Sequence, residues 1–392
     1  MVITNDSTSE DNETIKVCQQ VWGIAEVIKF WSPQCLVQLY HRFQIMLTLK
    51  DINTKNDKEV NLPIKLTKQR WTILFLFVLS SALNNMQWMQ YSVIADVIVK
   101  HYDVSHEAVN WTSMVFLLFY GLFILPGNYI LEKFGIRKSV LLSSLLNCIG
   151  CWIKIFSVGQ DKFWLVIIGQ SVVALATMCV VSAPAVIAAE WFGSDEVALA
   201  CSISLNGIML GIAAGILTSS LTVSSGSVEH DLFTMLLIIA LITTSVLVVQ
   251  LIFFSDKPKN PPSKAQLEQL ARKKSSNFLR STLRVFKNVR YLVHLIAFGI
   301  NYGISCSFAV LLNQMLSNYY INASVEVGRI GAIISFSGIF GSILCGIVLD
   351  KFKQYKVTYI ILQSGCIVSM LLFTYNLGNS LTIVYLISAM FG

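Results

Sequence analysis

Long apolar stretches separated by short polar ones run along the chain from residue 71 onward. A helix crosses a bilayer with about 20 mostly apolar residues, so these stretches predict membrane-spanning helices. A further apolar stretch opens at Leu381 and ends with the chain at Gly392, which leaves it too short to cross. The complete spans are predicted at residues 71–99, 109–131, 138–156, 163–189, 197–223, 232–254, 291–316, 328–349 and 357–375. The pattern predicts an all-α polytopic membrane protein.

The first span carries a cluster of polar and aromatic residues near its middle. In a continuous helix, four residues fall at i, i+3, i+4 and i+7 and therefore share one face. These residues are Asn84, Gln87, Trp88 and Tyr91. Polar side chains at membrane depth are disfavoured unless they face protein or a water-filled cavity. The face is therefore expected to line a solute pathway, and hydrogen bonding to neighbouring helices is the alternative use of the same side chains.

Composition supports a membrane protein and argues against other classes. The 392 residues are 55% hydrophobic and 13% charged, whereas about a quarter of the residues in soluble proteins are charged. The net charge of +7 is spread over alternate loops, which argues against a nucleic-acid partner. Most of the nine cysteines lie inside apolar spans, so no metal site, cofactor or disulfide framework is predicted. No acid pair, histidine cluster or nucleophile arrangement predicts an enzyme.

The distribution of lysine and arginine residues predicts the orientation. Ten of them lie between Lys257 and Arg290, whereas the loops on the opposite side contain only three in all. Basic residues near span ends stay on the cytoplasmic side, so the N-terminus is predicted to be cytoplasmic. The sequon Asn322-Ala323-Ser324 then lies outside and is a predicted glycosylation site. The default expectation for such a chain is a monomer in the plasma membrane.

The spans and the polar segments divide the chain into four regions. Residues 1–69 are predicted to be a partly disordered cytoplasmic segment, with either an interfacial amphipathic stretch or a mis-joined exon at 17–49. Residues 70–255 form a predicted six-helix bundle. Residues 256–290 form a basic cytoplasmic linker whose amphipathic helix either lies on the inner leaflet or is solvated. Residues 291–392 are predicted to be an incomplete second bundle.

A loop motif occurs twice, at equivalent places in the two predicted bundles. Residues 127–138 read GNYILEKFGIRK and residues 346–356 read GIVLDKFKQYK, each with a glycine, an acid and then bases. Two copies indicate two homologous halves of six helices. The motif resembles motif A of the major facilitator superfamily. The resemblance implies that superfamily's fold, with the second half cut short in its tenth span.

In such a motif the charges can act as a conformational latch. The acid meets bases and helix ends across the cytoplasmic seam in one conformation and separates from them in the other. The candidate latch residues are Gly127, Glu132, Lys133, Arg137, Lys138, Gly346, Asp350 and Lys351.

Several segments resemble one family within that superfamily. They are NNMQWMQYSVI from Asn84, EWFGSDEVALACSIS from Glu190, LLNQM from Leu311 and VGRIGAIISFSGIFGSILCG from Val327. Together they resemble the feline leukaemia virus subgroup C receptor-related family, from about Arg70 to the C-terminal end of the chain. Members of that family are described as choline and ethanolamine transporters and were earlier described as haem exporters.

The resemblance implies that Trp88 packs on a quaternary ammonium group. An indole face holds a desolvated cation by about 2 kcal/mol or more. Where the family has a second aromatic residue this chain has Cys306, and where it has a glutamine in the fourth span this chain has Thr177. Tyr302, one helical turn before Cys306, is the candidate replacement for the lost ring. The predicted solute-binding residues are thus Trp88, Asn84, Gln87, Tyr91 and Tyr302.

These features predict a facilitative transporter that moves a small organic solute across the bilayer by alternating access. The solute is expected to be an amine similar to choline or ethanolamine. A haem exporter is an alternative, although none of the five histidines lies at mid-membrane. A non-transporting receptor or an inactive truncated form is a second alternative, because several site residues of the family are replaced.

Charged residues inside the spans bear on the driving force. No Asp or Glu lies in the central part of a predicted span, which favours gradient-driven transport over proton symport. Lys154, near the outer end of the third span, is expected to extend its ammonium group toward the membrane surface.

Overall fold

A computed structural model describes residues 66–193, 196–223, 227–258, 261–262, 286–317, 319–320, 323–352, 355–377 and 381–391. Within these ranges the regular structure is helical, as the apolar pattern predicts. Six helical stretches of this part are long and apolar enough to cross a membrane. The predicted interfacial stretch at 17–49, the amphipathic helix of the linker and the sequon residue Asn322 lie outside the described residues.

The helices follow one another along both halves of the chain. The first half contains α1 (Gln69–Met86), α2 (Ala95–Tyr102), α3 (His106–Phe134), α4 (Ile136–Ile155), α5 (Phe163–Met178), α6 (Ala183–Trp191), α7 (Val197–Thr222) and α8 (Val228–Phe253). The second half contains α9 (Val289–Ser317), α10 (Ala323–Phe352), α11 (Tyr355–Asn376) and α12 (Leu381–Phe391). Helices α3, α4 and α7 to α11 coincide closely with predicted spans, whereas the first and fourth spans are each divided into two helices.

The first span is interrupted at its polar cluster. Helix α1 ends at Met86, residues 87–91 are not helical, and a short 3-10 turn leads into α2. The prediction of one continuous helix is therefore wrong. Irregular backbone at membrane depth must have its polar groups satisfied by protein. Here the Gln170 amide donates to the Gln87 carbonyl at 3.0 Å, and the Ser113 hydroxyl donates to the Trp88 carbonyl at 2.8 Å.

The fourth span is interrupted where α5 ends and α6 begins. Proline at position 184 lies in the first turn of α6, where its missing N–H does not interrupt a helical hydrogen bond. The Ser182 hydroxyl in the break donates to the Asn128 side chain of α3. Gly127, the residue before Asn128 in α3, lies so close to the Met178 carbonyl that a Cβ atom would collide with it. The loop-motif glycine thus has a packing function at this break.

Helix α7 packs closely against α1 through three glycines spaced four residues apart. Gly207, Gly211 and Gly215 leave no room for a Cβ atom. At Gly211 that atom would collide with the Ala82 carbonyl, and at Gly215 with the Met86 carbonyl. The sequence predicts this close approach of a second helix, since small residues at this spacing let backbones meet. The prediction is confirmed, and the contact extends to the last residue of α1.

The two halves of the chain contact each other at one end, here called the Asp96 end. The Asn313 amide of α9 donates to the Val93 carbonyl at 2.7 Å and to Asp96 Oδ1 at 3.2 Å. The Ser324 hydroxyl of α10 donates to the same carboxylate oxygen. One apolar cluster contains residues of both halves. A second cluster, built from the first half, lies toward the opposite end, which is called the Arg70 end.

Candidate solute site

Trp88 lies in the interruption between α1 and α2 and is half-buried. Its indole Nε1 donates to the Ser113 carbonyl of α3 at 3.2 Å, and its own carbonyl accepts from the Ser113 hydroxyl. The Ser113 hydroxyl also lies 2.7 Å from the Ser92 hydroxyl on the far side of the interruption. The ring is therefore held at its nitrogen and at its backbone, which leaves its carbon face as the part that can meet a cation.

The other three residues of the predicted face are buried inside the first half. Asn84, Gln87 and Tyr91 are at most 2% exposed. The Asn84 amide donates to the Val173 carbonyl at 3.1 Å, and the Gln87 amide donates to Asn147 Oδ1 at 2.8 Å. Because α1 ends before Gln87, these residues do not form a helical face with Trp88. Their participation in solute binding stays a prediction.

Lys154 of α4 is fully buried, so the prediction that it extends to the membrane surface is wrong. Its ammonium group donates to the side-chain oxygens of Gln87 at 2.6 Å, Gln170 at 3.2 Å and Gln90 at 3.3 Å. The ammonium nitrogen also lies 5.9 Å from the centre of the Tyr91 ring. Three acceptors match the three protons of an ammonium group, and this inward hydrogen bonding replaces contact with water.

Sequence reasoning missed the residues that surround this ammonium group. Gln90 and Gln170 are each at most 1% exposed, and the Cys151 thiol donates to Gln87 Oε1 at 3.1 Å. A signal was present, because a lysine and isolated glutamines inside apolar runs are costly unless they meet one another. Their pairing was not visible, since they belong to three different predicted spans.

Tyr302 and Cys306 lie one turn apart on α9, and their side chains are hydrogen-bonded to each other. Cys306 is buried, whereas Tyr302 is half-buried and lies in the neighbourhood of Tyr120 of α3. This position places an aromatic residue of the second half near the first half. The predicted replacement of the missing ring by Tyr302, and its binding role, stay predictions.

The first copy of the loop motif is hydrogen-bonded to the last turn of α8 and to Asp256 just after it. The Asp256 carboxylate accepts from the Arg137 backbone N–H at 3.0 Å, and the Arg137 guanidinium donates to the Leu251 carbonyl at 3.2 Å. Gly135 between α3 and α4 has φ 84°, and a Cβ atom there would lie 2.7 Å from Asp256 Oδ1. The acid that meets this motif therefore lies at the start of the linker, directly after the first bundle. A contact across the seam between halves stays a prediction.

Replacing Gly135 by alanine is expected to destabilise the protein by about 1–3 kcal/mol, because its backbone conformation is one that glycine alone adopts readily. The midpoint of thermal unfolding of the purified protein in detergent measures this loss. The double variant Gly135→Ala with Asp256→Ala removes the collision and keeps the backbone strain. An unchanged midpoint in Gly135→Ala would contradict the assigned strain.

The remaining latch residues have separate surroundings. Lys133 is exposed, and its ammonium nitrogen lies 5.4 Å from the Tyr129 ring centre and 5.5 Å from that of Phe134. Glu132 and Lys138 are exposed. In the second motif copy, the predicted latch residues Gly346, Asp350 and Lys351 lie outside the part of the chain whose side chains the structure describes. Among the residues that the structure describes, no group of three or more His, Cys, Asp or Glu side chains is arranged to hold a metal ion.

The matches to known proteins agree with this architecture. A family model of the major facilitator superfamily matches residues 74–392, so the chain belongs to that superfamily. The choline/ethanolamine transporter flvcr2a of Danio rerio is 38% identical over 336 residues, which are 84% of this chain and 71% of that protein. Human choline/ethanolamine transporter FLVCR2 is 35% identical over 84% of this chain and 64% of its own length. Within the superfamily, the chain belongs to the feline leukaemia virus subgroup C receptor-related family.

Two further comparisons concern the length of the relatives and the fold. An uncharacterised MFS-type transporter of Caenorhabditis elegans is 40% identical over 86% of this chain. The chain spans 58% of the length of this relative, compared with 71% for flvcr2a and 64% for human FLVCR2. A bacterial homologue of the human lysosomal transporter Spinster, solved in an inward-facing and unoccupied conformation, superposes with TM-score 0.57 at 15% identity, covering 83% of this chain and 72% of that one. That likeness concerns the fold alone.

Proposed function

We propose that the protein is a facilitative transporter of small amines similar to choline and ethanolamine. The observation that carries the proposal is the placement of Trp88, a half-buried indole fixed by Ser113 in the non-helical interruption of the first span. Interrupted helices form solute sites in many transporter folds, because their irregular backbone is tolerated where it lines a cavity. Relatives named choline/ethanolamine transporters support the same solute class.

The chemistry of the solute suits an aromatic site. A choline-like cation cannot donate hydrogen bonds from its quaternary nitrogen, so an aromatic face is the main group that can stabilise it away from water. The ring of Tyr302 is a candidate second contact from the other half. Thr177 occupies the place of a glutamine in the family, but its hydroxyl donates to Asn84 at 2.7 Å and is already engaged. Recognition therefore depends on Trp88 more than on amide contacts.

The way the halves meet supports the proposed alternating access. We infer that the Asp96 end faces outward, because the basic loops lie toward the Arg70 end. The outward end is closed by hydrogen bonds from Asn313 and Ser324 to the Asp96 carboxylate. A further hydrogen bond of 2.9 Å runs from the Gln314 amide to Asn110. Parting of these contacts would open the site outward, and the plasma membrane is the expected location.

Replacing Asn313 by alanine is expected to open the Asp96 end more often, since each lost hydrogen bond contributes about 0.5–1.5 kcal/mol to closure. A cysteine at Ser220, which is 4% exposed and lies against Gly328 of the other half, reports this opening. Its labelling by a membrane-impermeant maleimide should be about tenfold faster in the Asn313→Ala background. A cysteine at the exposed Ser227 is the control and should react equally in both.

Labelling of the Ser220 cysteine at an unchanged rate would contradict the assigned closure. Slower labelling at both positions would indicate loss of surface protein and is corrected by surface biotinylation in the same cells.

Uptake of radiolabelled choline and ethanolamine tests the proposed function. Cells that express the protein with its complete coding sequence should accumulate at least one of the two amines above vector controls. A protonophore should leave the initial rate unchanged, since the proposed transport follows the solute gradient. Normal surface expression without uptake of either amine would contradict the proposal. Binding of an amine without uptake would then identify a non-transporting receptor, and export of haem would identify the other alternative.

A further inference from the structure

Lys154 has no ion-pair partner in the described part of the chain, although it lies in the interior of the first half. A buried ammonium group is costly in a membrane protein unless other groups replace its water. The replacement here is three neutral glutamine oxygens and the face of Tyr91. Hydrogen bonds from a charged donor are about twice as strong as neutral ones, so a full set of three can hold the charge without a carboxylate.

The surrounding helices make space for this side chain. Gly169 of α5 lies so close to Lys154 Cγ that a Cβ atom would collide with it. Gly150 of α4 faces the same helix, and a Cβ atom there would lie 2.8 Å from the Gly169 carbonyl. Helices α4 and α5 therefore approach closely enough to enclose the lysine stem. The stem is directed from this contact toward the interruption of the first span.

The ammonium group binds the interruption from several sides. Of the five non-helical residues 87–91, it contacts the side chains of Gln87, Gln90 and Tyr91. Its third acceptor, Gln170, also donates an amide hydrogen bond to the Gln87 carbonyl. Lys154 is thus connected to Gln87, the residue before Trp88, in two ways. It binds the Gln87 side chain directly and the Gln87 backbone carbonyl through Gln170.

We propose that Lys154 is a positioning residue whose positive charge holds the interruption in the shape that presents Trp88 to the solute. The role of Trp88 rests on the proposed transport function, whereas the effect of Lys154 on residues 87–91 does not. An aromatic face is common to the proposed substrate site and to Lys154, and the lysine has three amide oxygens in addition. The protein therefore contains a fully buried ammonium group of its own, hydrogen-bonded to the residue that precedes Trp88.

The first test measures hydrogen exchange of the amides at residues 87–91 in the Lys154→Met variant. Methionine keeps most of the stem and removes the charge and its hydrogen bonds. Exchange in this segment should accelerate at least about tenfold, since the loss of one charge-assisted hydrogen bond is already worth that factor. The matched control is Lys162→Met, which removes an exposed lysine and should leave the segment unchanged. Unchanged exchange in Lys154→Met would overturn the proposal.

The second test separates the charge from the volume of the side chain. Lys154→Ala leaves a cavity lined by the three glutamine oxygens, and added propylamine can place an ammonium group there. Propylamine should restore slow exchange at residues 87–91, whereas propanol of similar size should not. If a variant folds poorly, the yield of folded protein from cells grown with each compound gives the same comparison. Equal rescue by propanol would overturn the proposal, because volume alone would then account for the effect.

Transport kinetics test the connection to Trp88. Lys154→Met should raise the KM for ethanolamine at least about tenfold, with surface expression retained and a smaller change in maximal rate. An unchanged KM beside faster exchange would overturn the link to Trp88. If the unmodified protein transports no amine, the proposed function fails, and the exchange measurements still decide whether Lys154 holds the interruption.

Discussion

Trp88→Ala is expected to lower the rate of amine uptake at limiting solute about thirtyfold, because an indole contributes about 2 kcal/mol to a desolvated cation. The loss should appear mainly as a higher KM, since the ring contacts the solute in its bound state. Initial rates of radiolabelled choline and ethanolamine uptake over a range of concentrations measure it. The half-buried position of the ring means that truncation should disturb the fold less than at a fully buried site.

Two further variants test whether that loss comes from the aromatic face of Trp88. Trp88→Phe keeps an aromatic face and removes the hydrogen bond to Ser113, so it should retain part of the uptake. Trp164→Ala removes an indole that is 59% exposed, and it should leave the KM unchanged. Uptake by Trp88→Ala at the rate of the unmodified protein would contradict the proposed site. Equal losses in Trp88→Ala and Trp164→Ala would point to a general effect of the substitutions on expression.

Gly215→Val is expected to prevent correct folding, and this is the largest effect on stability that the structure predicts. A Cβ atom at this position would collide with the Met86 carbonyl, which is backbone and cannot rotate away. The helices would have to separate, and overpacking of a tight contact costs about 1–3 kcal/mol or more for each inserted group. Size-exclusion chromatography in detergent, with surface biotinylation in cells, measures the folded fraction.

The matched control for this substitution is Gly121→Ala. Gly121 also lies inside a long helix, and a Cβ atom there has no neighbour within 4 Å. Alanine is the better helix former, so this variant should be as stable as the unmodified protein or more stable by about 0.5–1 kcal/mol. Gly215→Ala should fall between the two. Normal folding of Gly215→Val would show that α1 and α7 can separate without loss.

The sequence predicts the helices well and their interruptions poorly. Apolar runs of sufficient length can only be helical in a bilayer, so α3, α4 and α7 to α11 follow from composition. The interruption at residues 87–91 has no glycine or proline, and its cause is a set of acceptors and donors on other helices. Hydropathy averaged along one segment contains no information about those partners. The second interruption had a local signal in Pro184, but the apolar run around it is long enough to predict one uninterrupted span.

Within the candidate site, the sequence predicts a binding residue and misses the residues around it. Trp88 was predicted from a motif and from the chemistry of cations. Lys154 was placed near a span end by counting residues, and its side chain was expected to turn outward. Its actual direction depends on Gln90 and Gln170, which are 80 residues apart in the chain. The Asn313 contacts between halves were missed for the same reason, since no local pattern pairs α9 with Asp96.

Helix α7 connects two features that the sequence presents as independent. Gly215 touches the last carbonyl of α1, and Ser220, little more than one helical turn further on, touches Gly328 of the second half. Ile216 between them lies against Gly331 of the same partner helix. Because α7 is one continuous helix here, we expect a displacement where the halves meet to be transmitted to the end of α1. The contact between the halves and the backbone just before Trp88 thus share one helix, and we expect a mutation at the closure to change the KM of the proposed transport as well.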